Sequence, residues 1–598
     1  MAGKVLNLES VLEPDHMAQS IANSYISWKL GRNSKEAAWN EIRRYVYATD
    51  TTTTTNAKLP WKNKTTTPKL SQIRENLYAN YFATLFPKRE WLEWEGGNEE
   101  SDKKEKKEKI ETFMFWVTDQ PEFYTEIQKM LLDYIDYGNV IAGVDWYDET
   151  VERPDGSIKR GFTGPVPVRV SPLDIVFNPI APSFAVSPKI IRTVVTFGEL
   201  KDMVERLSAF PDQALDAKKI FDYLRNYRSH TSFASGVGGD LSEKDSYLMV
   251  DGFTSYRHYL DSDYVELLTF YGDCYDKESD KFYKNHIITV ADRHKLISVR
   301  PNPSIFGKAS LYHAGWRPRQ DNLWAMGPLD NLVGMQYRID HIENLKADCF
   351  DLMAFPPIKV KGYVSDFTWQ PFEKIYIGDE GDVEPLPPDV RILQANSEID
   401  VLMAKMEEMA GAPKEAMGFR NPGEKTMYEV QRLENAYSRI FHSKVEQFEM
   451  FILEPLLNAM LELARRNFTS SKIPVYDKEF NVLDFTEITP QDLTGVGRIR
   501  PIAARNFAEK AEIVQNLTNL FNSPLGQDPN MMQHWSTIRM SKMLEEIFQL
   551  ENYKIVQPFV RLAEQADSQK RMNSLQEQVQ MEAGTPSGVA PDDVTPQF

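Results

Sequence analysis

Several stretches of this 598-residue chain hold side chains that could do chemistry. Asp261-Ser262-Asp263 sets two carboxylates close together, as a two-metal hydrolytic site does. A lone Asp-x-Asp is also ordinary turn composition, and that is how it reads. Asp379-Glu380-Gly381-Asp382-Val383-Glu384 offers oxygen ligands for calcium, but without the ligand spacing of an EF-hand loop. It reads as a solvated stretch or one that faces a basic partner. His286 and His294 lie in strand-like sequence, with no Cys or His at zinc-ligand spacing. Ser235-Gly236-Val237-Gly238-Gly239-Asp240 is glycine-rich, yet it lacks the lysine and the strand–helix setting of a phosphate cradle, and reads as a flexible loop. Lys414, Arg420 and Lys425 lie in a Gly/Pro-rich stretch with Glu415 and Glu424. They could touch phosphate without reading sequence, or pair with those carboxylates. No catalytic constellation emerges, so no enzyme activity, metal or cofactor is expected. With no Walker lysine–serine pair, ATP-driven work would fall to another protein.

The elements that position the acidic stretch and the basic loop run from Gly327 to Phe468. Gly327-Pro328 reads as a helix start, since proline suits a first turn. Leu329, Leu332, Val333, Ile339, Ile342, Leu345, Cys349 and Leu352 then recur at spacings of three and four, an apolar stripe on one helix. Pro356-Pro357 ends it. Residues 356–396 switch pattern: Lys359 to Val364 and Glu373 to Ile377 alternate like strands, with Gly378-Asp379 as a turn. Asp366, Glu373, Asp379, Glu380, Asp382 and Glu384 make this insert acidic. A second helix over 397–411 opens on Ser397 with Asp400, a capping-box variant, carries Ile399, Leu402, Met403, Met406 and Met409, and stops at Gly411. Past the loop at 412–426, Thr426 and Glu429 form another capping box. Val430, Leu433, Tyr437, Ile440, Phe441, Val445, Phe448, Phe451 and Ile452 then carry a long helix. Pro455 should kink it, because the hydrogen bond back to residue 451 is lost. Slender paired helices with a small β insert at their tip must bury their stripes against something, and copies of the chain around an axis would serve.

Upstream, residues 1–48 read as helical, with Met17, Ile21, Tyr25 and Trp28 on one stripe and Trp39, Ile42, Tyr45 and Val46 on another. Residues 49–69, with Thr51 to Thr55 consecutive, read as a plain mobile loop. Leu70 to Phe86 and the stretch from Phe123 to Gly138 read as helices, and Lys103 to Lys109 as a solvated helix face. Strands are expected over Val140–Tyr147 and Val166–Val170. A meander follows over 248–300, its tip at Asp276 to Asp280. Two short strands are expected within Ile473–Phe485, then helices over Ala504–Asn522 and Ser541–Leu550, and a disordered tail over 573–598.

Length implies several subdomains. No run of apolar residues is long enough to span a membrane, and the N-terminus lacks a secretory apolar core. Two cysteines, Cys274 and Cys349, form no disulfide framework and fit a reducing cytoplasm, with a single bridge left open. Lys+Arg total 69 against 87 Asp+Glu, a net charge of −18. That disfavours a protein that clings to DNA. It fits either plain solubility or a wall that DNA slides past.

At Glu408-Met409-Ala410-Gly411-Ala412-Pro413 and Gly423-Glu424-Lys425-Thr426-Met427-Tyr428-Glu429-Val430 the chain resembles the portal proteins of tailed bacteriophages, those of short-tailed phages above all. Phe451-Ile452-Leu453-Glu454-Pro455-Leu456, Tyr134 to Asn139 and Val170 to Pro179 extend the resemblance over roughly residues 20 to 570. The resemblance implies an α+β, mainly helical portal fold. Residues 1–326 would be the wing, 327–355 and 397–411 the stem, and 356–396 the clip. Residues 412–426 would be the tunnel loop, and 427–572 the long kinked helix, wing return and crown. It implies a ring, typically of twelve copies, in the virion at one capsid vertex, after assembly in the host cytoplasm. Its partners would be the major capsid protein, the terminase large subunit, a tail adaptor and non-specifically passing double-stranded DNA, with no membrane. The alternatives are a tail or internal virion protein without a ring, and a DNA-processing enzyme.

Overall fold

The computed structural model describes residues 3–8, 16–86, 91–99, 101, 103–152, 158–206, 211–227, 248–249, 251–253, 264–303, 310–362, 364, 375–386, 388–411, 440–469, 471–477 and 482–501. The chain divides into two compact units, Met1–Tyr476 with Leu483–Ala504, and Asp477–Val482 with Arg505–Phe598. The described residues lie almost entirely in the first unit, a mixture of helices and mainly antiparallel strands. The basic loop at 412–426, the capping box at Thr426, the expected helices after Ala504 and the expected tail lie outside the described residues.

Strand β1 (Val5–Leu8) precedes helices α1 (His16–Leu30) and α2 (Asn33–Val46). Met17, Ile21 and Tyr25 of α1, and Trp39, Ile42, Tyr45 and Val46 of α2, are buried, as their spacing predicts. β1 corrects the all-helical reading of this segment. It pairs in parallel with Asp273 to Asp276, a partner no local pattern encodes. Helix α3 (Lys69–Leu85), strand β2 (Leu92–Gly96), and helices α4 (Lys104–Thr118) and α5 (Pro121–Asp136) follow. Pro121 sits in the first turn of α5, where its missing N–H costs nothing.

Three strands, β3 (Asn139–Glu152), β4 (Ile158–Val170) and β10 (Tyr312–Gly315), make one sheet in the order β10-β3-β4. A larger sheet runs β5 (Ile175–Phe177), β6 (Lys189–Thr196), β7 (Tyr264–Asp276), β8 (Lys281–Ala291) and β9 (Lys295–Pro301), with β1 beside β7. The last three are the expected meander. Between β6 and β7 lie α6 (Phe197–Arg206) and α7 (Pro211–Tyr227), whose Leu200 and Ile220 pack on Val265 and Leu267. α1 packs on another part of the same sheet through Ile21, Tyr25, Leu268 and Phe270.

The remaining elements are α8 (Val333–Ala354), β11 (Ile358–Lys361), β12 (Asp382–Pro385), α9 (Asn396–Ala410), α10 (Glu454–Asn467), β13 (Ser471–Asp477), β14 (Val482–Ile488) and β15 (Gly497–Pro501). β15 pairs with β2, so the last described strand returns to the segment between α3 and α4. The largest core gathers α2, α3, α4, α5, α8, α9 and α10 around the three-stranded sheet.

The helix expected to kink at Pro455 is helical over 440–448, widens to a π-turn at Glu449–Leu453 and continues as α10. Proline cannot donate the bond its position would need, and the wider turn absorbs that gap. The π-turn also re-phases the stripe: Phe451, expected to be inward, is 52 % exposed, while Ile452, Leu453, Leu456 and Leu457 are fully buried.

Candidate functional site

α8 begins at Val333 rather than at Gly327-Pro328. The Gly327 N–H instead bonds to the Asp330 carboxylate. Its apolar stripe splits in two. Ile339 and Ile342 are buried in the chain's own core, whereas Phe350, Leu352 and Met353 near its far end are exposed. The expectation that sister copies cover the whole seam is therefore corrected: the chain itself covers the near half.

A second, polar face of α8 is also buried. Gln336, Asp340 and Asn344 recur every four residues, followed by Asp348. Residues 51–68 lie along this face as a hydrogen-bonded strap, where their composition suggests a plain loop. Its main-chain N–H groups meet the ladder in antiparallel order. Asn63 donates to Asp348 at 2.9 Å, Thr65 to Asn344 at 2.9 Å and Thr67 to Asp340 at 3.1 Å. Leu70, in the first turn of α3, donates to Gln336 at 3.1 Å. Gln336 and Asn344 return bonds from their amide nitrogens to the carbonyls of Thr67 and Thr65, at 2.6 and 2.7 Å. The registers match for a simple reason. Four helical residues advance about 6 Å, and two extended residues advance about 6.7 Å. Trp61 is buried with its ring 4.9 Å from that of His341. Thr51 and Asn56 are fully buried, and the Thr51 N–H closes the strap on the Lys64 carbonyl at 2.9 Å.

Burial pushes the Asp340 carboxyl up to about 6, against the pull of the Thr67 N–H, the Thr66 hydroxyl and the Gln336 amide. The signal missed in the sequence is Gln336-x3-Asp340-x3-Asn344-x3-Asp348. A search for apolar period passes over it, because its partner is the main chain of a distant threonine run.

α9 begins at Asn396, and no side chain caps it, so Ser397 and Asp400 form no capping box. A short 3₁₀ turn, Val390–Ala395, already feeds the helix, and Asp389 caps that turn by accepting from the Arg391 N–H. Gly411 ends α9 at φ +74°, as expected. Ile399 and Met406 are buried, while Met409 is exposed. A buried Lys69–Glu407 ion pair ties α9 to α3.

In the acidic insert, β11 is present but its partner is β12, the acidic segment itself; from Glu373 to Ile377 the described part contributes one bridge, Val364 with Ile377. Asp382-Val383-Glu384 alternates charge out and valine in, so it can pair as a strand while its carboxylates stay in water. Asp382 and Glu384 are on β12, Asp379 and Glu380 in the turn before it, and all four are exposed. Glu384 faces Lys359 across the hairpin at 3.8 Å. Asp366 and Glu373, like Lys414, Arg420 and Lys425, lie outside the described residues. Large apolar side chains of this part of the chain also stand in water: Phe355 56 %, Tyr376 71 % and Ile377 50 % exposed.

The other candidates resolve plainly. His286 Nδ1 lies 2.8 Å from the Lys284 carbonyl, and His294 Nδ1 lies 2.6 Å from the Asp292 carbonyl. Among the described residues, no group of His, Cys, Asp and Glu could hold a metal ion. Asp261-Ser262-Asp263 and the glycine-rich loop lie outside the described residues. Cys274 and Cys349 are both free and buried. No helix among the described residues is long and apolar enough to cross a membrane. Lys189 and His313 are further buried groups that the sequence reading did not single out. Burial lowers Lys189 to about 7, its ammonium donating to the Phe184 carbonyl at 2.7 Å. Burial, with Lys189 nearby, lowers His313 to about 3.

No protein-family model matches the chain, and no curated protein matches it either.

Proposed function

We propose that this chain is a portal subunit of a tailed bacteriophage. Copies, typically twelve, would ring one capsid vertex of the virion and pass double-stranded DNA inward during packaging and outward during ejection. The observation that carries this reading is a set of exposed large apolar side chains: Phe350, Leu352, Met353 and Phe355 on and just after α8, and Tyr376 and Ile377 in the acidic insert. A monomer leaves these side chains in water, where contact with a neighbour would bury them. Neighbours repeated around an axis would cover them.

The acidic hairpin, bearing Asp379, Glu380, Asp382 and Glu384, and with it Asp366 and Glu373, would form the clip. It would receive the terminase large subunit first and the tail adaptor afterwards, while the wing would meet the major capsid protein. A net charge of −18 suits a channel wall past which a polyanion slides with little friction. Lys414, Arg420 and Lys425 would supply transient, sequence-independent contact with phosphate from the tunnel loop.

Negative-stain microscopy of the purified chain tests the reading: rings with an axial hole are expected, and a uniform population of single, solid particles would overturn it. Charge reversal of Lys414 and Arg420 should alter packaged genome content; unchanged content and infectivity would remove the tunnel-loop role alone.

A further inference from the structure

We propose that residues 51–68 are a latch: seated on Gln336, Asp340, Asn344 and Asp348, they make the far half of α8 move with helices α2 and α3, and lifted away they free it. The proposal stands on contacts within one chain and does not depend on the ring.

Three observations carry it. The first is the kind of grip. The ladder holds the strap chiefly by its main chain, through the amides of Asn63, Thr65 and Thr67, so seating depends on register more than on packing. Trp61 is the one large apolar side chain buried within the strap.

The second is that both ends are fixed elsewhere. α2 is tied to Asp251 by Arg43, and α3 to Asp136 by Arg74 and to α9 by Lys69. The strap can therefore lift as a closed loop while the helices at its ends stay docked. The same closure argues against exchange between copies, since a loop anchored at both ends would have to be threaded.

The third is where the strap reaches. Asn63 bonds through its side chain to Asp348 and Asp351, at 2.8 Å in each case, in the part of α8 that carries the exposed Phe350 and Met353. Elsewhere, this part of α8 bonds to the start of α9 through Lys346 to Asn396, and to the cap of the preceding turn through Cys349 to the Asp389 carbonyl. Lifting the strap thus removes a restraint on the segment that leads into the acidic hairpin.

Amide hydrogen exchange on the full-length chain in its native assembly state decides the matter. A latch opens locally, so peptides covering 61–68 and 344–354 should exchange together, about tenfold or more faster than peptides from α5 and β7. Asp348→Ala should speed both segments by about another tenfold and leave α2, α3, α5 and β7 unchanged, with Asp348→Asn, which keeps an acceptor, falling between. Strap peptides as protected as α5 and β7 would overturn the proposal. So would an Asp348→Ala effect spread over the whole chain. If Asp348→Ala does not fold, the unmodified protein still decides through the first comparison.

Discussion

A Cβ built on Gly138 would stand 2.2 Å from the backbone nitrogen of Gly327. Gly138 holds φ at +65° as the chain leaves α5, and its carbonyl accepts the Trp316 N–H at 2.9 Å. The segment that leads into α8 crosses the end of α5 at this point, and the crossing is close enough to exclude any side chain. Gly138→Ala should therefore carry both the strain of a left-handed residue and the clash, at least about 2 kcal/mol together. Chemical denaturation of the two proteins measures this; a loss under about 0.5 kcal/mol, the range of an ordinary surface change, would show that the crossing can relax.

Asp340 supplies a pH dependence with a definite sign. Its carboxyl lies near 6 in the folded chain because burial disfavours the charge, above its ordinary 3.8. The folded state therefore binds the proton more tightly than the unfolded one. The associated stability is fully present below about pH 4 and is lost as pH rises through about 6, by no more than about 3 kcal/mol. Asp340→Asn cannot titrate. Its stability relative to the parent should rise between pH 4 and pH 7, read from denaturant midpoints at each pH. A difference that does not change with pH would mean that Asp340 titrates as an ordinary surface acid.

Lys189 has the opposite arithmetic. Burial lowers it to about 7, so between about 7 and its ordinary 10.5 the unfolded chain holds the extra proton and stability rises with pH. Lys189→Met removes the buried cation, and the Phe184 carbonyl keeps the Ser187 N–H as a donor. The variant should be more stable than the parent at pH 7, by about 1–3 kcal/mol. The gain should shrink as pH approaches 10. Thermal melts across that range test it, and a variant less stable at pH 7 would contradict the account.

Phe350→Asp with Phe355→Asp places two charges on and just past the far end of α8, at side chains 55 % and 56 % exposed. Neither supports the chain's own core, so far-UV circular dichroism should not change. If copies assemble as proposed, self-association should fall, read as a lower sedimentation coefficient and fewer rings in negative stain than the parent gives. Unchanged assembly would move the contact surface elsewhere.

The amino-acid sequence alone settles those elements whose apolar residues repeat at a helical or strand period. Ile73, Leu77, Tyr81 and Leu85 on α3, Phe123 to Ile135 on α5, and the meander of β7 to β9 follow directly, because each buries one continuous face and the period names that face. Gly411 likewise marks its helix end by itself, since a left-handed residue favours glycine. Tertiary structure alone decides the rest. The strap on Gln336, Asp340, Asn344 and Asp348 is held by hydrogen bonds between side chains and a distant main chain; α8 carries a polar period of four, but nothing in the threonine run names it as the partner. β1 beside β7 and β11 beside β12 are choices of partner, which an alternating pattern permits without specifying. Phe451 turns outward because a π-turn shifts the register ahead of Pro455, and only the packed helix reveals that shift.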